Sequence, residues 1–208
     1  MIFQTLFTFC FNRLLTLFLH ARLTVPSSFA SKPKSGDGAE HMTNAIRILG
    51  LDPGLRRTGW GVISLDGGRL SHVAHGVIAP GESLPFAERL LTLFVGVEAV
   101  IAAHAPHEAA VEETFMTANG SSTLKLGHAR AAAMIAPARA GLPVAEYAAK
   151  VVKKAVVGTG GADKDQVAFM IARLLPAAAG VGADAADALA VAITHANARR
   201  VRRIGAAA

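Results

Sequence analysis

The chain has 208 residues, of which 52% are apolar, so it is long and apolar enough for one domain with a buried core and is not a generally disordered protein. Lysine and arginine total 21 against 15 acidic residues, and the resulting net charge of +6 favours a polyanionic partner or an anionic membrane surface. The single cysteine, Cys10, excludes an intrachain disulfide framework and fits a reducing compartment.

The first forty residues differ in composition from the rest. Residues 1–20 are apolar and rich in phenylalanine but are interrupted by Asn12 and Arg13, and residues 31–41 have the composition of a linker. We predict that residues 1–41 are a non-native or disordered extension and that Met42 is the true start of a domain over residues 42–208. A membrane tether or an export signal is the alternative.

Three strands are predicted at the start of this domain. Residues 46–51 are an apolar run that ends at a Pro-Gly turn directly after Asp52. Residues 58–65 and 69–78 have the composition and alternation of strands, and Gly67 and Gly68 between them predict a hairpin. The segment therefore indicates an antiparallel sheet whose first strand is buried.

Helices and strands alternate after this point. Residues 85–104 have apolar side chains at helical spacing, and residues 108–112 are a small-residue strand. A helix over 121–140 is expected to be capped by Ser121 or Ser122 and to be kinked or shortened by Pro137. The remaining predicted elements are a strand at 142–147, a helix at 163–175 capped by Asp163 and a helix at 184–198. This order predicts an α/β fold, a mixed five-stranded sheet with helices on both faces.

Four short acidic side chains lie where these elements begin or end. Asp52 follows the first strand, Glu112 ends the fourth, and Asp184 and Asp187 are three residues apart, on one face of the last helix. No basic residue is evident beside them in the sequence, so we expect them to repel one another unless a cation binds. Hard carboxylate ligands suit Mg²⁺, and a basic protein with such a cleft predicts phosphodiester chemistry on nucleic acid.

Each acid also has a purely structural interpretation. Asp52 is a residue type that begins turns, and Asp184 is a residue type that caps helices. Glu112 and its neighbour Glu113 point to opposite sides of a strand, so only one can face Asp52; we choose Glu112 and expect Glu113 to be solvated. Either glutamate alone can also be an ordinary surface charge.

Basic and aromatic residues supply candidates for nucleic-acid contact. Lys153 lies next to a glycine-rich loop at 158–161, and Lys164 opens a predicted helix. Phe115 follows the fourth strand, where an aromatic ring can stack on an unpaired base. A solvated surface explains either lysine equally well, and core packing explains the phenylalanine equally well.

Several ordered motifs together resemble the RuvC family of Holliday-junction resolvases, which have the ribonuclease H-like fold. They include Leu-Gly-Leu-Asp-Pro-Gly and Thr-Gly-Trp-Gly-Val within residues 49–62 and Val-Glu-Glu-Thr-Phe-Met at 111–116. They end with Ala-Asp-Ala-Ala-Asp-Ala-Leu-Ala at 183–190. Further matching stretches stand at 124–130, 152–158 and 163–167. The likeness covers nearly the whole of the predicted domain.

The resemblance implies a cytoplasmic homodimer that cuts four-way DNA junctions symmetrically in homologous recombination and DNA repair and leaves 5′-phosphates. It implies two Mg²⁺ ions per subunit, or Mn²⁺ in their place, and a branch-migration helicase partner of the RuvA and RuvB type, with no membrane partner. The implied metal-binding and catalytic acids are Asp52, Glu112, Asp184 and Asp187. Lys164 is the implied catalytic cation, and the implied DNA-contacting residues are Phe115, Lys153 and Lys164.

Two other functions are compatible with parts of the sequence. A catalytically silent module could bind the junction and recruit the helicase, although the four intact acids argue against it. An ATP-binding protein of the actin or sugar-kinase type shares an Asp-Gly phosphate loop, but such proteins pair two domains of this kind and this chain has room for one.

Overall fold

A computed structural model describes residues 45–113 and 119–205 of the chain, with side chains described as far as residue 202. The predicted extension over residues 1–41 and the predicted base-stacking residue Phe115 lie outside the described residues, so both stay predictions. Within the described part of the chain, no helix is long and apolar enough to cross a membrane.

The sheet has the mixed pattern that the element order predicts. Its strands lie in the order β3-β2-β1-β4-β5, with β1 antiparallel to β2, β2 antiparallel to β3, and β1, β4 and β5 mutually parallel. The prediction of a mixed five-stranded sheet is confirmed. The strands are β1 (Ile46–Asp52), β2 (Thr58–Asp66), β3 (Arg69–Ile78), β4 (Glu108–Glu112) and β5 (Val144–Tyr147).

Helices cover both faces of this sheet. One apolar cluster joins Leu49 and Val111 of the sheet to Val97 and Ala133 of the first two helices. A second cluster, on the opposite face, joins the sheet to the last three helices through side chains such as Ile193. The helices are α1 (Phe86–His104), α2 (Gly120–Arg139), α3 (Ala149–Val157), α4 (Lys164–Leu174) and α5 (Ala183–Gly205), with a short 3-10 helix at Pro176–Ala178.

Helix α3 was not predicted. It is only nine residues long, and it buries Val152 and Val156 while Lys150 and Lys154 are exposed. Gly158 ends it with a positive φ of 89°, a conformation that glycine adopts without strain. The stretch predicted as a basic segment before a flexible loop is therefore an amphipathic helix with a glycine C-cap.

The helix ends confirm one predicted cap and correct two others. Asp163 caps α4 in a capping box with Gln166. Asn119, rather than Ser121 or Ser122, caps α2, because its side chain accepts hydrogen bonds from the backbone N–H groups of both serines. Asp184 lies in the first turn of α5 instead of capping it, since the helix already begins at residue 183.

Pro137 has a limited effect on α2. It lies in the last turn and is buried, and the helix ends two residues later, at Arg139. The hydrogen bond that proline cannot donate is therefore lost where the helix is about to stop.

Helix α5 packs directly on the backbone of the central strands through glycines. A Cβ atom on Gly50 would overlap the carbonyl oxygen of Ala188 and would lie 2.7 Å from the Ala192 nitrogen. A Cβ atom on Gly59 would overlap the carbonyl oxygen of Asp184, and one on Gly61 would lie 2.6 Å from Leu189 Cδ2. These contacts hold the first turn of α5 at the carboxyl end of β1.

The change Gly50→Ala tests this packing. We expect it to lower the free energy of unfolding by about 2–3 kcal/mol, because the added methyl group meets backbone that cannot move without shifting α5. Chemical denaturation measures the effect. The matched control is Gly127→Ala in α2, where an added Cβ meets no atom within 4 Å and where alanine favours the helix. Equal stability of the two variants would contradict the packing argument.

Candidate active site

Asp52 lies at the carboxyl end of β1 and faces helix α5. It lies on the same face of the strand as Ile48, which belongs to the apolar cluster that contains α5, and Gly50, which contacts the helix directly. Burial, with the negative charges of Asp187 and Asp184, raises the pKa of Asp52 to about 6, against the lowering effect of Lys164. The turn after the strand therefore presents the carboxylate to a partly desolvated, acidic environment.

Glu112 lies beside Asp52 on the neighbouring strand. Leu51 of β1 and Val111 of β4 are paired in the parallel ladder, so the next residue of each strand stands at the same level on the same face. Burial and the charges of Asp52 and Asp187 raise the pKa of Glu112 to about 7. The structure thus places Glu112 next to Asp52, as the alternation argument expected.

Glu113 takes no part in this cluster. It lies just beyond Glu112, the last residue of β4, and its backbone N–H donates a hydrogen bond to the Tyr147 carbonyl at 2.9 Å. Its role is to continue the pairing of the two parallel strands.

The last helix adds two further acids. Asp187 is partly buried, and burial raises its pKa, with Lys164 opposing the rise and Asp184 adding to it. Asp184, one turn earlier, receives a hydrogen bond from the Arg57 guanidinium, with 2.5 Å between Nε and Oδ2. Three elements, β1, β4 and α5, therefore bring all four predicted acids to one end of the sheet.

The expectation that these acids lack basic neighbours is wrong. Lys164, the first residue of α4, acts on Asp52, Glu112 and Asp187, and Lys153 of α3 acts on the last two. Arg57 pairs with Asp184, and sequence reasoning missed this arginine because the two residues are 127 positions apart. The sequence feature that could have indicated it is the pair Arg56 and Arg57 in the turn after Asp52.

The donor set fits a hard divalent cation. Burial and mutual repulsion raise the pKa values of Asp52, Glu112 and Asp187, and a bound cation would favour their charged forms. Within residues 45–113 and 119–205, no three Asp, Glu, His or Cys side chains are arranged to hold a metal ion as they stand. Asp184 in particular is directed towards Arg57, with 2.5 Å between Arg57 Nε and Asp184 Oδ2.

The strand order, the helices on both faces and the acids at the carboxyl ends of β1 and β4 define a nuclease domain of the ribonuclease H-like class. A model of the family described as crossover junction endodeoxyribonuclease RuvC matches residues 48–195. The chain belongs to this RuvC family, and the predicted fold, family and enzyme class are confirmed.

The relatives support the same assignment. The crossover junction endodeoxyribonuclease RuvC of Caulobacter sp. strain K31 is 72% identical over 158 residues, which cover 76% of this chain and 94% of the relative. The RuvC of Maricaulis maris is 62% identical over 167 residues, which cover 80% of this chain and all of the relative.

Solved structures show the same fold. The Thermus thermophilus RuvC in complex with a Holliday junction substrate has a TM-score of 0.70 and 33% identity, over 75% of this chain and 96% of that chain. The yeast mitochondrial Holliday junction resolvase Ydc2 has a TM-score of 0.54 and 12% identity, over 72% of this chain and 77% of that chain. The second likeness shows the fold alone.

The raised pKa values predict how stability depends on pH in the absence of metal. Asp52 and Glu112 have pKa values of about 6 and about 7 in the folded protein, against ordinary values of 3.8 and 4.5. The folded state therefore binds protons more tightly than the unfolded chain. The resulting stabilisation is complete below pH of about 4 and is lost as the pH rises to about 7.

The variant Asp52→Asn removes one of these unfavourable charges. In EDTA at pH 8 we expect it to raise the free energy of unfolding by about 1–2 kcal/mol and to flatten the pH dependence. Chemical denaturation between pH 4 and pH 8 measures both effects. The exposed acid Asp66 is the control, and Asp66→Asn should change stability by less than about 0.5 kcal/mol. A loss of stability in Asp52→Asn would show that the carboxylate is favourably placed without metal.

Proposed function

We propose that this chain resolves Holliday junctions in homologous recombination and DNA repair through metal-dependent nicking of two strands at the four-acid site. The observation that carries the proposal is the convergence of Asp52, Glu112, Asp184 and Asp187 from three separate elements in a member of the RuvC family. The family relative from Thermus thermophilus, whose solved structure contains a Holliday junction substrate, supports the choice of DNA substrate.

The proposed cofactor is Mg²⁺, two ions per subunit, with Mn²⁺ able to replace it. A divalent metal bound between carboxylates supplies Lewis-acid activation of water and of the phosphate oxygens. Asp52 interacts electrostatically with each of the other three acids, so it would hold the metal together with all three of them. Glu112 and Asp187 are assigned as further ligands, and Asp184 completes the site from the first turn of α5.

The two lysines have separate proposed tasks. Lys164 interacts with three of the acids, so its ammonium group lies where it can offset charge that develops on the scissile phosphate. Lys153 interacts with two of them and is proposed to hold a neighbouring phosphate of the same strand. Phe115, beyond the described end of β4, is proposed to stack on an unpaired base. Cleavage is proposed to leave 5′-phosphates.

The variant Asp52→Asn is the direct test of the catalytic proposal. We expect it to bind a synthetic four-way junction within about twofold of the unchanged chain and to cut it at least about 10³-fold more slowly, because a metal ligand is lost. Gel-based binding and cleavage assays with Mg²⁺ measure the two effects. The matched control is Glu113→Gln, which removes the adjacent carboxylate that does not act on the other acids and should keep its activity.

Three results would count against the assignment. Cutting by Asp52→Asn at the unchanged rate would remove Asp52 from the active site, and loss of cutting in Glu113→Gln would show that the wrong glutamate was chosen. Tight junction binding by the unchanged chain without any cutting would favour a silent recruiting module.

A homodimer is proposed because two equivalent cuts need two equivalent sites, which a two-fold axis supplies. The layer formed by α1 and α2 is the proposed interface. On α2, Leu124 is 65% exposed and Ile135 is 55% exposed, and on α1, Leu91 and Val95 are also exposed apolar side chains. Exposure of these four apolar side chains to solvent is unfavourable, and a partner surface that covers them accounts for their presence on one helical layer.

Substitution of Leu124 and Ile135 by glutamate tests this interface. We expect the double variant to weaken self-association at least tenfold, because two charges must be buried on dimerisation, and to lose the pairing of the two cuts. Light scattering across a concentration series measures the association. The control is Phe169→Glu on α4, which charges a similarly exposed apolar site on the other face of the sheet. Unchanged association of the double variant would place the dimer elsewhere.

The remaining assignments concern the cellular setting. We propose that the chain acts in the cytoplasm with a branch-migration helicase complex of the RuvA and RuvB type. The family membership supports this partner, since crossover junctions have to be moved as well as cut.

A further inference from the structure

The turn that follows Asp52 is held rigidly at its base. Thr58 is fully buried, its hydroxyl donates to the Gly54 carbonyl at 2.9 Å, and it accepts from the Gly54 N–H at 3.2 Å. This pair of bonds closes the loop between β1 and β2. Arg57 directly precedes Thr58, so its side chain extends from a backbone position that is fixed relative to Asp52.

Asp184 is fixed from the opposite side. The start of β2 and the first turn of α5 touch through backbone, because a Cβ atom on Gly59 would overlap the Asp184 carbonyl oxygen. Arg57 lies two residues before that glycine. Its Nε therefore reaches Asp184 Oδ2 at 2.5 Å, with the arginine side chain 60% exposed and the aspartate side chain 35% exposed.

This ion pair affects one acid of the cluster differently from the others. The Asp184 oxygen that accepts the guanidinium hydrogen cannot direct the same lone pair at a metal ion. Lys153 and Lys164 interact with the other acids of the cluster. Among the described residues, Asp184 is the member of the cluster whose carboxylate forms an ion pair with an arginine. Metal binding through this oxygen therefore competes with the Arg57 contact.

We propose that Arg57 is a positioning residue that holds Asp184 as its counterion and that a divalent metal has to displace. The inference rests on the proposed function, since it concerns how the same site is loaded. Arg57 thereby sets the metal concentration at which the four acids become a metal site, and it keeps the cluster less repulsive before the metal arrives. Asp184 would then exchange its Arg57 partner for the metal ion, and the released guanidinium would stay beside the site.

Metal binding without DNA tests the proposal directly. The variant Arg57→Gln removes the counterion, and we expect it to bind Mn²⁺ about two- to fivefold more tightly than the unchanged chain, the range typical of a partly exposed ion pair. Isothermal titration calorimetry measures the affinity, and no cleavage is involved. The matched control is Arg56→Gln, because Arg56 is the adjacent arginine, is exposed and pairs with Glu82 at 3.6 Å instead.

Equal affinity of the two variants, or weaker binding by Arg57→Gln, would overturn the inference. A general effect of lost positive charge is separated from the contact by repeating the comparison in an Asp184→Asn background. If the contact is responsible, Arg57→Gln has no further effect there. If the same gain persists, Arg57 acts only through long-range charge and the inference fails.

A spectroscopic readout follows the displacement itself. The Arg57 Nε–H signal, assigned by its absence in Arg57→Gln, should change its chemical shift on titration with diamagnetic Mg²⁺. An unmoved signal at saturating Mg²⁺ would show that the contact survives metal binding and would overturn the proposal.

Failure of the proposed function gives a different pattern. The four acids are not a metal site if the unchanged chain does not bind Mn²⁺, or if Asp52→Asn binds Mn²⁺ as tightly as the unchanged chain. In either case both the proposed function and this inference fail. If Asp52→Asn reduces binding and Arg57→Gln behaves like Arg56→Gln, only the role of Arg57 is lost.

Discussion

The contact between helix α5 and the backbone of the central strands is the constraint on which the site depends. Gly50, Gly59 and Gly61 remove the side chains that would otherwise separate the two layers, so carbonyl and amide groups of the helix lie against the sheet itself. Backbone contacts of this kind leave little freedom to slide, because both surfaces are rigid. The first turn of α5 is therefore fixed at the carboxyl end of β1, and its two aspartates lie near Asp52 and Glu112.

That register brings like charges together at a cost in stability. Burial and mutual repulsion raise the pKa values of Asp52, Glu112 and Asp187, which means that each is less stable as a carboxylate here than in water. Folding tolerates the cost because the apolar clusters on both sheet faces supply the driving force and because Lys153, Lys164 and Arg57 offset part of the repulsion. A cation bound among these acids, as the proposed function requires, would favour their charged forms and offset this cost.

Local patterns were enough to predict most of the fold. The ends of β1, β2, α1 and β4 fall within about one residue of their predicted positions, because apolar periodicity and Pro or Gly punctuation mark them clearly. Helix α3 escaped prediction because two turns with three lysines carry a weak periodic signal. Asn119 caps the helix instead of the predicted serines, because it lies two and three residues before them and its side chain accepts from their backbone N–H groups.

For the candidate site too, the sequence predicted the residues that have a local pattern and missed the one that depends on a distant contact. The four acids were found from the positions that they take at element ends, since a strand that ends at an acid and a buried helix that begins with two acids are both visible locally. Arg57 was not found, because its significance lies in a contact with Asp184 that only the packing of β2 against α5 creates. Charges that balance a site from a distant part of the sequence carry no local pattern, and only the three-dimensional structure identifies them.

Hydrogen bonds near the middle of α5 complete the positioning that the glycines begin. The buried imidazole of His195 lies between the Tyr147 hydroxyl, 2.9 Å from Nδ1, and a Glu108 oxygen, 2.7 Å from Nε2. Burial and the nearby charge of Arg202 lower the pKa of His195 to about 4, so the ring is neutral at pH 7. The tautomer that carries its proton on Nε2 donates to Glu108 and accepts from the tyrosine.

This network ties α5 to the two strands that the glycine contacts do not reach. Tyr147 pairs with Glu112 across the parallel ladder, and Glu108 lies at the other end of the strand that Glu112 ends. The helix is thus held sterically against β1 and β2 and by hydrogen bonds against β4 and β5. Because Asp52 lies on the first pair of strands and Glu112 on the second, both sets of contacts are needed for α5 to meet the two strand carboxylates at once.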